Sequence, residues 1–110
     1  MYERSRNILD CNIAGFNYYD GLDVLKKLKL GAPVTLKPEH DNPYDPNAVS
    51  IYYKNIKLGY VPRAKNTYIS DLLYFGYGDI FEARVNARNM DAHPEHQFRI
   101  VVKVKDNRRF

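Results

Sequence analysis

The sequence predicts an α+β fold that is mostly β, in which six short antiparallel strands form a small barrel or sandwich with two short helices as plugs. Three observations indicate this class. Apolar and polar residues alternate in several short runs, glycine and proline interrupt these runs, and strands and helices do not alternate as a parallel sheet requires. The 110 residues fit one domain of ordinary size, so a single domain is expected over residues 1–110.

The first half of the chain predicts two strands and one helix. Alternation over residues 7–16 indicates the first strand, and residues 33–38 indicate the second. Between them, Asp20 is a typical N-cap for a short helix with an apolar leucine stripe, and Gly31 is a typical helix stop.

The second half predicts the rest of the sheet. Four more strands are indicated at residues 48–53, 56–61, 81–87 and 98–104. The first two form a hairpin around a turn at residues 54–55, and a second helix is expected from Pro62 to Gly76 or Gly78. A frayed basic tail is expected at residues 105–110. A six-stranded, OB-like antiparallel barrel is the preferred arrangement.

The composition favours a polyanionic partner. The formal charge is +4 and the pI is about 9.2, and the aromatic residues are ten tyrosines and five phenylalanines with no tryptophan. Cationic side chains and tyrosine rings together are typical of proteins that bind single-stranded nucleic acid. Tyrosine also has a high strand propensity, so a small β-protein without such a ligand has a similar composition.

The sequence predicts a cytoplasmic protein without membrane contacts. No run approaches the roughly 20 apolar residues of a membrane helix, and residues 1–6 lead into no apolar signal segment. Cys11 is the single cysteine, so no internal disulfide is possible, and we expect a buried thiol in a reducing compartment.

A loop with unusual chemistry separates the second and third strands. Pro43 and Pro46 fix two backbone angles and favour extended geometry at the residues before them, so residues 40–49 form a stiff loop. Asn42 and Asp45 can close Asx-turns, which is a purely structural role. Tyr44 has no obvious core to enter, and its flat ring suits stacking on another ring.

No catalytic or metal-binding motif stands out, so we expect no cofactor, no metal and no enzymatic activity. His93 and His96 are three residues apart in a polar loop, which is a weak zinc pattern. Residues 41–52 lack the glycine and the glutamate of a calcium-binding EF-hand loop. A phosphate-binding glycine loop and a nucleophile motif are absent too. A metal-dependent hydrolase using the loop aspartates is the least favoured alternative.

Three segments carry a resemblance to a known family. Residues 15–21 (GFNYYDG), 41–49 (DNPYDPNAV) and 58–63 (LGYVPR) resemble the HIRAN domain in order and spacing. This family occurs as an N-terminal module of DNA-remodelling helicases and as small free-standing bacterial proteins, and the chain looks like the second kind. The resemblance implies a modified OB-type barrel that captures the 3′-hydroxyl end of single-stranded DNA. It also implies a role in DNA repair or replication-fork processing, at most nucleoid-associated, with a helicase or nuclease acting in trans.

The resemblance also implies roles for individual residues. Tyr18 and Tyr44 would stack on the terminal bases, and Asp45 would accept a hydrogen bond from the 3′-hydroxyl. Arg63 and Lys65 would contact phosphates. The full predicted DNA-binding set is Asn17, Tyr18, Tyr19, Asp41, Asn42, Tyr44, Asp45, Tyr60, Arg63 and Lys65.

The sequence departs from the family pattern at three of these positions. Asn17 stands where a basic residue precedes the tyrosine pair, and Asp41 replaces the first of two asparagines; both changes should weaken DNA binding. Tyr60 stands where a histidine can occur, and it would either add a third ring or pack across from Tyr52 or Tyr53. The alternative function is a protein-interaction module that uses the same tyrosine-lined surface.

Overall fold

A single six-stranded sheet forms the framework of the protein. The computed structural model describes residues 6–93 and 96–106, apart from the side chains of Arg6 and Leu22. The strands are β1 (Arg6–Asn12), β2 (Pro33–Glu39), β3 (Ala48–Tyr53), β4 (Ile56–Tyr60), β5 (Phe81–Arg88) and β6 (Phe98–Val104). Among the described residues, the α-helix α1 (Thr67–Tyr74) and 3-10 helices at Phe16–Tyr18, Asp20–Lys27, Arg63–Lys65 and Gly78–Ile80 connect them. The predicted mostly β class is confirmed.

The sheet runs in the order β1-β6-β5-β2-β3-β4, and every pairing is antiparallel. Its two edges meet just after β1. Ala14 forms an isolated bridge with Tyr60 at the end of β4, with N–H···O distances of 2.8 and 2.9 Å. The sheet therefore curls until β4 lies beside the continuation of β1, as the predicted OB-like barrel requires.

Gly59 makes this closure possible. Its φ is +152°, which side-chain-bearing residues rarely adopt, and a Cβ at this position would lie 2.4 Å from the carbonyl oxygen of Ala14. The two edges can approach each other this closely because position 59 has no side chain.

The core fills the inside of the curved sheet with alternate strand residues, as the period of two predicts. Phe16 and Phe98 are fully or almost fully buried, and their ring centroids lie 5.0 Å apart. Cys11 is buried as expected, and burial raises the pKa of its thiol to about 11. The thiol is therefore protonated and inert at neutral pH.

The first predicted helix is a 3-10 helix, which has fewer residues per turn than the α-helix that was expected. The chain leaves the first strand at Asn12 rather than at residue 16, and Asp20–Lys27 is a 3-10 helix. Asp20 is its first residue and not its cap, because the N-cap position belongs to Tyr19. Val24 has non-helical angles (φ −122°, ψ 17°), and a β-branched residue of low helix propensity fits this interruption.

The second predicted helix is divided in two. Pro62 keeps an extended ψ of 139°, so a short 3-10 turn follows it and α1 begins only after Asn66. The helix ends before Gly76, as predicted. Of the predicted tail, Lys105 is hydrogen-bonded through its N–H to the carbonyl of Ile80, and residues 107–110 lie outside the described residues.

The described residues contain neither a membrane-spanning helix nor a metal-ligand cluster. None of the helices is long and apolar enough to cross a membrane. Within the same residues, His, Cys, Asp and Glu side chains nowhere gather in groups of three or more that could hold a metal ion.

Candidate nucleic-acid interface

The loop between β2 and β3 is built by its own polar side chains. The Asn42 Oδ1 atom accepts hydrogen bonds from the N–H groups of Tyr44 (2.9 Å) and Asp45 (3.1 Å). The Asp45 Oδ1 atom accepts one from the N–H of Asn47 at 2.9 Å. Both residues therefore form the Asx-turns that the sequence left open. These turns, with two prolines, hold Tyr44 out in solvent, where its side chain is 85% exposed.

This loop forms one wall of a groove of about 410 Å³, which we call the tyrosine groove. Its polar and aromatic lining consists of Tyr19, Asn42, Tyr44, Asp45, Tyr60, Arg63 and Asn66. Ala14, Pro43, Ala48 and Val61 complete it. The volume falls in the range of about 300–1,000 Å³ that is typical of small-ligand sites.

The Asp45 carboxylate is fixed inside the tyrosine groove. Besides the bond from Asn47, its Oδ2 atom accepts a hydrogen bond from Asn66 Nδ2 (2.9 Å) and lies 3.5 Å from Arg63 Nε. Burial alone would raise the pKa of Asp45, but these donors outweigh burial and lower it. The group is therefore an ionised acceptor at neutral pH, and a carboxylate has lone pairs for one further donor.

Arg63 ties the loop to the turn before α1. Its Nη2 atom donates to the carbonyl oxygen of Tyr44 at 2.6 Å, and its side chain remains largely exposed. A guanidinium has five N–H donors, so these two contacts leave donors for an anion.

Two tyrosine rings form a second wall of the tyrosine groove, and a lysine that does not line the groove lies against them. The rings of Tyr19 and Tyr60 meet edge to face with centroids 5.7 Å apart. The ammonium group of Lys57 lies 4.8 Å from the centroid of Tyr19 and 4.4 Å from that of Tyr60, which are cation–π distances. The predicted cross-strand partners of Tyr60 are wrong, because its register partner on β3 is Ser50.

A compact polar network holds this wall against the loop. Lys57 Nζ donates to Glu39 Oε2 (2.8 Å) and to the Tyr60 hydroxyl (2.7 Å), and that hydroxyl donates to Glu39 Oε1 (2.7 Å). Asn42 Nδ2 also donates to Glu39 Oε1, at 3.3 Å. Glu39 therefore connects the Asx-turn of the loop to the tyrosine wall.

The network shifts the titration of its three members. Burial opposes ionisation of Glu39, but the hydrogen bonds from Lys57, Tyr60 and Asn42 prevail and lower its pKa. Burial raises the pKa of the Tyr60 hydroxyl to about 12, with Lys57 opposing and Glu39 adding to the rise. Burial would lower the pKa of Lys57, but Glu39 and Tyr60 raise it above its usual value. Lys57 and Glu39 are both charged and neutralise each other.

Protonation of Glu39 at acidic pH should lower the free energy of unfolding. A carboxyl group with a lowered folded-state pKa adds stability above its unfolded pKa, ordinarily 4.5, and loses that contribution as the pH falls through the folded pKa. We expect the free energy of unfolding to drop more between about pH 5 and about pH 3 in the wild type than in Glu39→Gln. Urea denaturation across that range measures it. Asp79→Asn, which neutralises an exposed carboxylate, should show the same drop in unfolding free energy with pH as the wild type. An equal drop in all three proteins would refute the role of Glu39.

The structure brings together six of the ten predicted residues. Tyr19, Asn42, Tyr44, Asp45, Tyr60 and Arg63 line the tyrosine groove. Asn17, Tyr18 and Asp41 are exposed and do not line it. Tyr18 is the more exposed member of its pair, at 78%, but Tyr19 is the ring that reaches the groove, so the stacking role of Tyr18 stays a prediction. Lys65 points elsewhere, since its Nζ donates to the carbonyl oxygen of Asp10 at 2.9 Å.

Three residues of this region were not predicted. Glu39 and Lys57 are far apart in sequence and sit on strands separated by β3, so no local pattern connects them. Asn66 looks like a helix N-cap, yet its side chain makes no capping bond and donates to Asp45 instead. Asn66 is only 2% exposed in the folded protein, and no pattern in the sequence indicates this burial.

Comparison with known proteins decides the family. The family model of the HIRAN domain matches residues 7–105. The chain belongs to the HIRAN family. The HIRAN domains are DNA-binding modules and not catalytic domains, and the resemblance read from the three motifs is confirmed.

Two solved structures share the fold. A protein from Lactobacillus plantarum is 23% identical, with 94% of this chain and 97% of that chain covered and a TM-score of 0.78. The HIRAN domain of human HLTF is 18% identical, with 93% of this chain and 77% of that chain covered and a TM-score of 0.62. A search of the curated proteins gave no significant match.

Proposed function

We propose that this HIRAN protein binds the 3′-hydroxyl end of single-stranded DNA in the tyrosine groove. The observation that carries the proposal is the Asp45 carboxylate, which is ionised and held by Asn47, Asn66 and Arg63 inside a groove with tyrosine walls. A carboxylate repels phosphate, so its presence in a nucleic-acid groove makes sense opposite a hydroxyl donor. Such a donor exists where a strand ends.

The other groups around the carboxylate suit a terminal nucleotide. Tyr44 offers an exposed ring to the groove, and the Tyr19–Tyr60 pair also lines it. Aromatic rings of this kind stack on any base, so binding should show little sequence preference. Arg63 is positioned to meet the phosphate next to the terminal sugar, because its guanidinium lies beside Asp45.

The biological setting of the proposal rests on family membership. We assign the protein to DNA repair or replication-fork processing in the cytoplasm, where it would present a strand end to a helicase or nuclease acting in trans. The binding measurements below test the end recognition on which this setting depends.

The chemistry of the strand end tests the function directly. We expect a short labelled oligonucleotide with a 3′-hydroxyl to bind about 10- to 100-fold more tightly than the same strand with a 3′-phosphate, because a hydrogen bond to a charged acceptor is replaced by repulsion. In Asp45→Asn this preference should disappear. Fluorescence anisotropy at low salt measures both strands.

Asp79→Asn is the matched control for that experiment. It removes the same charge from an exposed site outside the groove, so it should retain the wild-type preference. Equal affinity of the wild type for the two strand ends would sink the proposal. If neither strand binds, the groove serves another ligand, and the protein-interaction alternative takes its place.

Tyr44 should supply a large share of the affinity. Truncation in Tyr44→Ala removes a stacking ring and is expected to cost about 1–3 kcal/mol of DNA-binding free energy. Tyr68→Ala is a close control, since Tyr68 is 84% exposed against 85% for Tyr44 but lies outside the tyrosine groove. Anisotropy titrations of both variants compare the two rings. An equal loss in both would show that exposed tyrosines bind without a defined site.

A further inference from the structure

A second groove lies behind the same loop. It has a volume of about 330 Å³, and we call it the aromatic–acidic groove after the side chains of His40, Asp71, Tyr74 and Phe75 that line it. Pro46 and Asn47 also line it, whereas their neighbour Asp45 lines the tyrosine groove. The loop therefore separates two grooves with different chemistry.

The rings of this groove contact one another, and those of Tyr74 and Phe75 are exposed. Tyr74 meets Phe75 edge to face with centroids 5.0 Å apart, and His40 meets Tyr74 in the same way at 4.7 Å. His40 Nδ1 lies 3.4 Å from the carbonyl oxygen of Pro46, which places the imidazole against the loop. Tyr74 and Phe75 are exposed although they belong to the last turn of α1 and its cap. Exposed aromatic side chains held in one arrangement are typical of recognition surfaces.

The negative charge of the aromatic–acidic groove favours a cationic ligand. Asp71 is exposed, and in the described part of the chain its carboxylate forms no ion pair. Among the described residues, no lysine or arginine lines the groove. A nucleic-acid strand would meet a carboxylate and no cation here, which disfavours it. A guanidinium would gain both a carboxylate partner and ring faces.

We propose that the aromatic–acidic groove binds an arginine-bearing peptide segment of a partner protein. The Asp71 carboxylate pairs with the guanidinium, and the rings of Tyr74 and Phe75 pack on its flat face. The chain as a whole carries a charge of +4 and repels a basic peptide, so any binding of such a peptide reports a local acidic site. This inference does not rest on DNA binding, because the tyrosine groove contributes none of these side chains.

The test is an NMR titration of the full chain, free of DNA, with the peptide Gly-Arg-Gly-Arg-Gly. We expect shift changes at His40 and at residues 71–75 that saturate at millimolar peptide, and none with Gly-Glu-Gly-Glu-Gly. In Asp71→Asn and in Tyr74→Ala the apparent affinity should fall about three- to tenfold. Asp23→Asn removes the same charge from the Asp20–Lys27 segment and should bind as the wild type does.

Several outcomes would overturn the proposal. The proposal fails if the arginine peptide causes no saturable shift changes, or if Asp71→Asn shows the same shift changes as the wild type. It also fails if the glutamate peptide or a short oligonucleotide shifts the same residues. Concentration-dependent shifts of residues 71–75 without any peptide would assign the groove to a second copy of the chain. The backbone spectrum of each variant also shows that it is folded, so a loss of binding is not a loss of structure.

Discussion

Gly59→Ala is expected to destabilise the fold strongly and to open the tyrosine groove. The added Cβ would lie 2.4 Å from the Ala14 carbonyl oxygen and 2.8 Å from Ile13 Cγ2, and the backbone angle at this position suits only glycine. Backbone strain of this kind costs about 1–3 kcal/mol. The steric overlap adds to it, so a total loss near or above about 3 kcal/mol in the free energy of unfolding is expected.

Gly31→Ala separates the two causes. Gly31 also has a positive φ, of +85°, but nothing lies within 4 Å of the position that its Cβ would take. This variant should therefore show only the backbone cost, about 1–2 kcal/mol. Urea denaturation of both proteins gives the comparison. If Gly59→Ala loses no more stability than Gly31→Ala, the close approach of the two sheet edges is not a constraint.

The same substitution reaches the proposed site. Tyr60 follows Gly59 directly and forms the bridge to Ala14, and its ring pairs with Tyr19. Pushing the edges apart would separate these rings, so Gly59→Ala should weaken DNA binding under conditions where the variant remains folded. Gly31→Ala, outside the groove, should leave binding unchanged.

Phe16→Ala is expected to cost about 3–5 kcal/mol of unfolding free energy, the range for deletion of a buried phenylalanine. The side chain is 0% exposed and packs on Phe98. It also supports the chain after the tyrosine pair, since a Cβ on Gly21 would lie 2.3 Å from Phe16 Cε2. Gly21 thus rests directly on this ring. Removal of the Phe16 ring should therefore loosen the turn that carries Tyr18 and Tyr19.

Phe75→Ala provides the surface comparison. Phe75 is 70% exposed, and its truncation should change stability by no more than about 0.5 kcal/mol. Urea denaturation with an unchanged m-value would assign the difference to stability rather than to altered unfolded chains. A loss of less than about 1 kcal/mol in Phe16→Ala would contradict its place in the core.

Strand positions could be predicted from the sequence because a half-buried strand repeats its apolar residues with a period of two. Phe98–Val104 lies where its alternation puts it, and Ala48–Tyr53 lies where β-branched and aromatic residues indicate a strand. The 3-10 segments could not be predicted, because short apolar stripes fit an α-helix and a 3-10 helix equally well. In Asp20–Lys27, the tertiary contact of Gly21 with Phe16 accompanies the tighter winding.

The site was partly predictable for a related reason. Asn42, Tyr44 and Asp45 belong to one short loop, and its residue types alone indicate turns and an exposed ring. The partners that position them come from distant strands and from the start of α1: Glu39 reaches Lys57 across β3, and Asn66 reaches Asp45 from the helix. Such contacts depend on strand order and sheet curvature, which a single sequence does not display.

The hydrogen bond from Asn66 to Asp45 has a kinetic consequence. Asp45 is held by the helix start, by its own loop and by Arg63, so contacts within the protein itself already orient the acceptor. A preformed site loses little conformational entropy on binding. Association should then be limited by collision and orientation, and substitutions around Asp45 should act mainly on how long a strand end remains bound.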